Sequence, residues 1–180
     1  AKQLVAGKNH LCVISENNSL FCWGTNDDGQ LGLNDTVTRY QPTQITLTGS
    51  VQQVAAGFSH TCAANTSNVY CWGLNDKGQL GNNSTADATT PMLVSSLSSV
   101  SGLALGKNHS CAVTTDNKTY CWGSRQAGQT AQTVDAVLLD KEPKELSSLT
   151  GKRALSAGDF HTCSVEDNSV VKCWGENSLK

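Results

Sequence analysis

Four segments of this chain set an imidazole two residues before a thiol: His10-Leu11-Cys12, His60-Thr61-Cys62, His109-Ser110-Cys111 and His161-Thr162-Cys163. A second cysteine follows each, at Cys22, Cys71, Cys121 and Cys173, always as Cys-Trp-Gly with Trp23, Trp72, Trp122 or Trp174. Three chemistries use such residues. Structural zinc is four-coordinate and favours closely spaced cysteine pairs, and no unit supplies a fourth ligand. Nucleophilic catalysis needs one histidine unlike the others, and these four are repeat-equivalent. A disulfide within each unit needs only that the two thiols face each other. Asp and Glu are scattered without a unique pair, and Gly29-Gln30-Leu31-Gly32 has no helix after it to make a phosphate loop. The sequence therefore leads us to expect no catalytic residue, no metal and no cofactor.

The elements that position these residues recur. The histidine steps are 50, 49 and 52 residues, and the two signatures use every His, Trp and Cys of the 180-residue chain. A third signature, Asn26-Asp27-Asp28-Gly29-Gln30-Leu31-Gly32, returns as Asn75-Asp76-Lys77-Gly78-Gln79-Leu80-Gly81. It decays to Arg125-Gln126-Ala127-Gly128-Gln129-Thr130-Ala131, which reads as loss of that loop, and the fourth unit stops before it. Each unit reads as an apolar strand ending at Gly, a hairpin, a Gly-rich loop, a polar stretch, and a last strand with Pro42, Pro91 or Pro143 at its start. Four short strands in about 50 residues are the content of one propeller blade. The expectation is an all-β fold of four-stranded antiparallel blades, about 3.5 of them. The repeats run 1–50, 51–100, 101–151 and an incomplete 152–180. Such a count leaves an open arc, expected to be part of a larger closed propeller, or to be closed by a partner chain or a second copy.

Hairpin register sharpens the disulfide reading. If Cys12 faces Cys22, then Val13 faces Phe21, Ile14 faces Leu20, and the turn falls near Glu16-Asn17-Asn18. The same pairing puts the other turns at Thr66-Ser67, Thr115-Asp116-Asn117 and Asp167-Asn168-Ser169, all polar. Repeat symmetry then selects Cys12–Cys22, Cys62–Cys71, Cys111–Cys121 and Cys163–Cys173, with metal ligation and free thiols as the alternatives. Disulfides imply an oxidising compartment, hence an extracellular or cell-surface protein. Extending the ladder sets His10 opposite Gly24, His60 opposite Gly73, His109 opposite Gly123 and His161 opposite Gly175. Each ring is expected over a glycine, on the disulfide face, with the tryptophans on the other face packing between blades.

The Gly-x-x-His segment, the Trp-Gly after the hairpin and the Asn-Asp-x-Gly-Gln-Leu-Gly loop resemble the repeats of the regulator of chromosome condensation family, over nearly the whole chain. The resemblance implies a β-propeller, usually of about seven blades. The cysteine pair departs from the intracellular members and looks like the type found in secreted and surface proteins. The family's founding member is a nuclear exchange factor for a small GTPase, and a secreted propeller of this kind inhibits a β-lactamase. Fold does not fix which such role applies here.

The composition excludes other classes. Lys+Arg number 13 and Asp+Glu 15, a net charge of -2, with no basic run to hold nucleic acid. Mean hydropathy is -0.30, and no stretch has the length of apolar residues that a membrane helix needs. Ala1–Val5 has no signal-peptide pattern. Recognition should lie where repeats differ, in 33–41, 82–90 and 124–142. Arg39, Tyr40, Val137, Leu138 and Leu139 are the candidate binding residues. Asn17, Asn34, Asn65, Asn82, Asn83, Asn108 and Asn117 head Asn-x-Ser/Thr triplets and are candidate glycan acceptors. The function read from this is a non-enzymatic binding scaffold that engages protein or glycan, or further copies of itself. A structural subunit of a surface layer or fibre, a secreted enzyme inhibitor and an intracellular exchange regulator are the other readings.

Overall fold

The computed structural model describes residues 1–131, 138–147, 152–167 and 169–177. These form four antiparallel sheets and no helix. The first sheet is β1 (Gln3–Ala6), β2 (His10–Ile14), β3 (Leu20–Gly24) and β4 (Arg39–Ile45), in sequence order. The second is β5 (Gln53–Ala56), β6 (His60–Ala64), β7 (Val69–Gly73) and β8 (Ala88–Leu93). The third is β9 (Val100–Leu105), β10 (His109–Thr114), β11 (Thr119–Ser124) and β12 (Leu139–Glu145). The fourth has β13 (Lys152–Ala157), β14 (His161–Glu166) and β15 (Val171–Gly175). The innermost strands β1, β5, β9 and β13 touch in succession, so the sheets are consecutive blades of an arc.

The register is the one the cysteines dictate. Cys12 faces Cys22 and His10 faces Gly24, and the corresponding pairs recur in the other three hairpins. All eight cysteines are bridged in those pairs, with Cα–Cα of 4.1 Å in each. The tight turns use residues that tolerate a left-handed backbone, Asn18 at φ 62° and Asn117 at φ 63°. The prolines fall inside the outer strands rather than at their starts. Pro42 lies between Arg39 and Thr43, where the β3–β4 register shifts. An outermost strand with a bulge needs no ladder donor at that residue.

The core lies between blades. Ile14, Leu20 and the Cys12–Cys22 bridge meet Val54, Ala63 and Trp72 of the second blade. Val69, Leu80 and the Cys62–Cys71 bridge meet Leu105, Ala112 and Trp122 of the third. Each blade thus has a trailing face, carrying His and Cys, and a leading face, carrying Trp. Burying one Leu or Ile side chain is worth about 1.5–3 kcal/mol, so a blade gains its stability from its neighbours. The two outer faces of the arc show the converse. Leu4 is 64% and Tyr40 91% exposed on the leading face of the first blade. On the trailing face of the fourth, His161 and Cys173 are exposed in a hollow of about 740 Å³.

Candidate functional site

The repeat-invariant polar atoms are consumed between blades. His10 Nε2 lies 2.9 Å from Thr61 Oγ1 of the next blade, and that hydroxyl donates to Gln30 O at 2.8 Å. Trp72 Nε1 donates to the same carbonyl at 2.9 Å. His60, Ser110, Gln79 and Trp122 repeat the arrangement, as do His109, Thr162, Gln129 and Trp174. A hydroxyl has one proton, and the Gln carbonyl takes it, so each hydroxyl accepts from imidazole Nε2–H. The Nδ1 atoms of these three histidines are buried without a partner. A bare lone pair there costs less than an orphaned N–H, which points to the same tautomer. Burial drives the histidines neutral. It lowers His10 and His109 to about 4 and His60 to about 3, with His109 and His161 as the next-largest influences on His60 and His109 respectively. These groups are locked as donors and are unavailable as acid–base catalysts.

The glycine beneath each ring is the one that ends the inner strand. A Cβ on Gly7 would sit 2.3 Å from His10 Cε1 and 2.4 Å from Gly57 O. Gly24, opposite His10 in the ladder, instead clears backbone: at φ 110° its Cβ would meet Asn9 O at 2.5 Å. The disulfides share the trailing face with the histidines, and with every sulfur bridged none is a metal ligand.

Antiparallel order places the β1–β2 and β3–β4 connections of each blade at one end. Thr25 N donates to Asn9 O, and Leu74 N to Ser59 O, joining the two loops. That end is the loop face. Asn26 organises the first Gly-rich loop, accepting from Leu31 N through Oδ1 and donating to Asp35 O through Nδ2. Asn75 does the same in the second blade. The third loop is kept although its sequence decays: Gly128 N donates to Arg125 O and Ala131 N to Gly128 O, as at Gly29 and Gly32. Gln129 survives because its side chain accepts from Ala127 N while its backbone carbonyl anchors Trp174. Arg125 takes the asparagine's place, and its guanidinium faces the buried Asp140 carboxylate at 3.6 Å.

Of the candidate binding residues, Arg39 pairs with Asp35, whose carboxyl that hydrogen bond holds below the usual range. Tyr40 stands on the leading edge, at the position where Thr89 of the second blade packs on Gly29 of the first. Leu138 is exposed and Leu139 half-buried at the start of β12, while Val137 lies outside the described residues. The second blade separates Tyr40 from Leu138, so they make no single patch. Asn17, Asn34, Asn83 and Asn117 are exposed, and Asn82 and Asn108 are half-buried. Asn65 is buried, and its Nδ2, the atom a glycan would need, donates to Thr48 O.

The axis of the loop face holds residues that sequence reading passed over. Lys8 Nζ lies 4.3 Å from the Phe58 ring centroid and Lys107 Nζ 5.1 Å from it. Lys107 Nζ is also 5.2 Å from the Phe160 centroid. Beside them a depression of about 360 Å³ has Gly7, Gly57, Gly106 and Gly158 in its lining, with Asp159 on its rim. These residues occupy the variable positions of Gly-x-x-His, and that variation inside an invariant frame was the available signal.

The family model for the regulator of chromosome condensation (RCC1) repeat matches residues 17–64 and 67–113. A second model of the same repeat matches 1–30, 51–79, 100–129 and 153–179. The chain is 31% identical, over 98% of its length, to 40% of the secretion-regulating guanine nucleotide exchange factor of Bos taurus. It superposes on human WBSCR16 with a TM-score of 0.84 at 23% identity, covering 96% of this chain and 46% of that one. Prp20p of Saccharomyces cerevisiae, a structure described with its binding to Gsp1p and histones, gives 0.83 at 26%, over 98% and 44%. The chain thus spans less than half the length of these relatives.

Proposed function

The chain belongs to the regulator of chromosome condensation (RCC1) repeat family, and on that premise we propose that it is a non-enzymatic propeller segment that recognises a protein or glycan partner through its loop face, outside the cell or on its surface. The carrying observation is the division between faces. His, hydroxyl, Gln and Trp of successive repeats spend their polar atoms on one another between blades. The β3–β4 connections and the residues between Gly and His, which differ from repeat to repeat, lie at the loop end of each blade. Four hairpin disulfides, three of them fully buried, support an oxidising compartment.

Alkylation of the natural protein before and after reduction, read by intact mass, tests this. No label before reduction and eight labels on this chain after it is the expected result. Eight labels before reduction would sink the extracellular reading. It would favour the second reading, an intracellular exchange regulator, which the 31% identity to the secretion-regulating exchange factor supports.

A further inference from the structure

We infer that the axial centre of the loop face is a docking site for an acidic peptide segment of a protein partner, held by Lys8 and Lys107, whose ammonium groups flank the Phe58 ring. This rests on the binding role proposed above and adds the chemistry of the partner.

Three observations converge. Among the described residues neither Lys8 nor Lys107 has a carboxylate within ion-pair distance, although acids outnumber bases in the chain. Both ammonium groups are held over aromatic rings instead, which fixes their stems and leaves their N–H donors free for an anion. The adjoining depression is lined by Ala6, Ala56, Leu105 and Ala157 together with Gly7, Gly57, Gly106 and Gly158, so its wall mixes methyl groups with backbone polar atoms and admits a small side chain and peptide backbone next to the anionic group.

Charge complementarity selects the occupant. Two ammonium groups beside a hollow walled by small residues and backbone match carboxylates that flank a small residue, as in an acidic peptide. A neutral sugar would stack on the Phe58 ring, but Lys8 and Lys107 already sit over it. The Asp159 carboxylate in the lining opposes any anion placed in the hollow itself, sulfated glycan and peptide alike, and a sulfated glycan brings no small side chain to seat there instead.

The test is a random dodecapeptide display library panned on the protein and on its Lys8→Gln/Lys107→Gln variant, with Lys118→Gln, in the hairpin turn at the other end of the blade, as control. Enrichment of Asp- and Glu-rich peptides that bind at least tenfold more weakly to the double variant, equally to K118Q, and more weakly at high salt is the expected outcome. Acidic peptides that bind the double variant as well as the original overturn the site. Peptides without acids overturn the partner chemistry and leave the binding role standing. Heparin retention that the double variant loses, with no acidic peptide selected, assigns the site to glycan instead. No enrichment at all, on either protein, overturns this inference and the protein-binding reading with it.

Discussion

His60 Nε2 and Ser110 Oγ meet at 2.9 Å from positions 50 residues apart, in different blades. The contact joins the trailing face of one blade to the leading face of the next. It also fixes the imidazole as a neutral donor, because Ser110 gives its own proton to Gln79 O.

Acid should therefore loosen the arc. Burial holds His10 and His109 at about 4 and His60 at about 3 in the fold, against about 6.5 in an unfolded chain. The unfolded state binds more protons between those values, so stability rises with pH there and is complete above about 6.5. At pH 5 the loss is on the order of 2 kcal/mol per histidine. Urea midpoints at pH 8 and pH 5 should differ strongly, and a flat profile would show that the rings are not held neutral.

Glycine is required at 57 and not at 102. A Cβ on Gly57 would lie 2.4 Å from His60 Cε1 and 2.6 Å from Gly106 O, while nothing lies within 4 Å of one on Gly102. Gly57→Ala should cost on the order of 3 kcal/mol or more. Gly102→Ala, in strand β9, should be neutral or stabilise by about 0.5–1 kcal/mol. Thermal midpoints of the pair decide it, and equal effects would contradict the packing.

The third Gly-rich loop can be repaired. Ala131 adopts φ 54° where Gly32 and Gly81 stand at 71° and 68°. Ala131→Gly should stabilise by about 0.5–1 kcal/mol. Thr130 Oγ1 is buried without a partner where Leu31 and Leu80 fill the core. Thr130→Val removes that hydroxyl at constant volume and should raise stability by about 1 kcal/mol. A lowered melting temperature in both variants would mean the loop is adapted to its own sequence.

The disulfides should reduce in an order set by burial. In the 180-residue chain Cys173 is exposed and Cys163 half-buried, whereas the other six cysteines are fully covered. Mild reductant with alkylation and peptide mapping should label Cys163 and Cys173 first. Removing a covered bridge, as in Cys62→Ala/Cys71→Ala, should cost about 2–3 kcal/mol for a loop this short. Uniform reduction of all four bridges would imply that the blades separate before any thiol is attacked.

Much of this was legible because the strand period is two. Once Cys12 faces Cys22, every pair along the hairpin follows, and the polar turns and the disulfides follow with it. Besides the prolines, two further readings of the blade changed on contact with the fold. The ring of His10 rests on Gly7 rather than Gly24, since the side chain leans along its strand toward the axis. The third loop persists without its Leu-Gly end, since Gln129 and the left-handed Gly128 suffice to turn the chain.

The sequence by itself determined what lies within a blade: four short strands, their register, the cysteine pairs and the polar turns. Those depend on residues a few positions apart, whose pairing a local period dictates. Only the tertiary structure decided what lies between blades. The histidine–hydroxyl–carbonyl contacts and the row of Lys8, Phe58, Lys107 and Phe160 join residues about 50 apart. Their meeting is set by how one twisted sheet stacks on the next about a common axis, and no local period in the chain encodes that rotation.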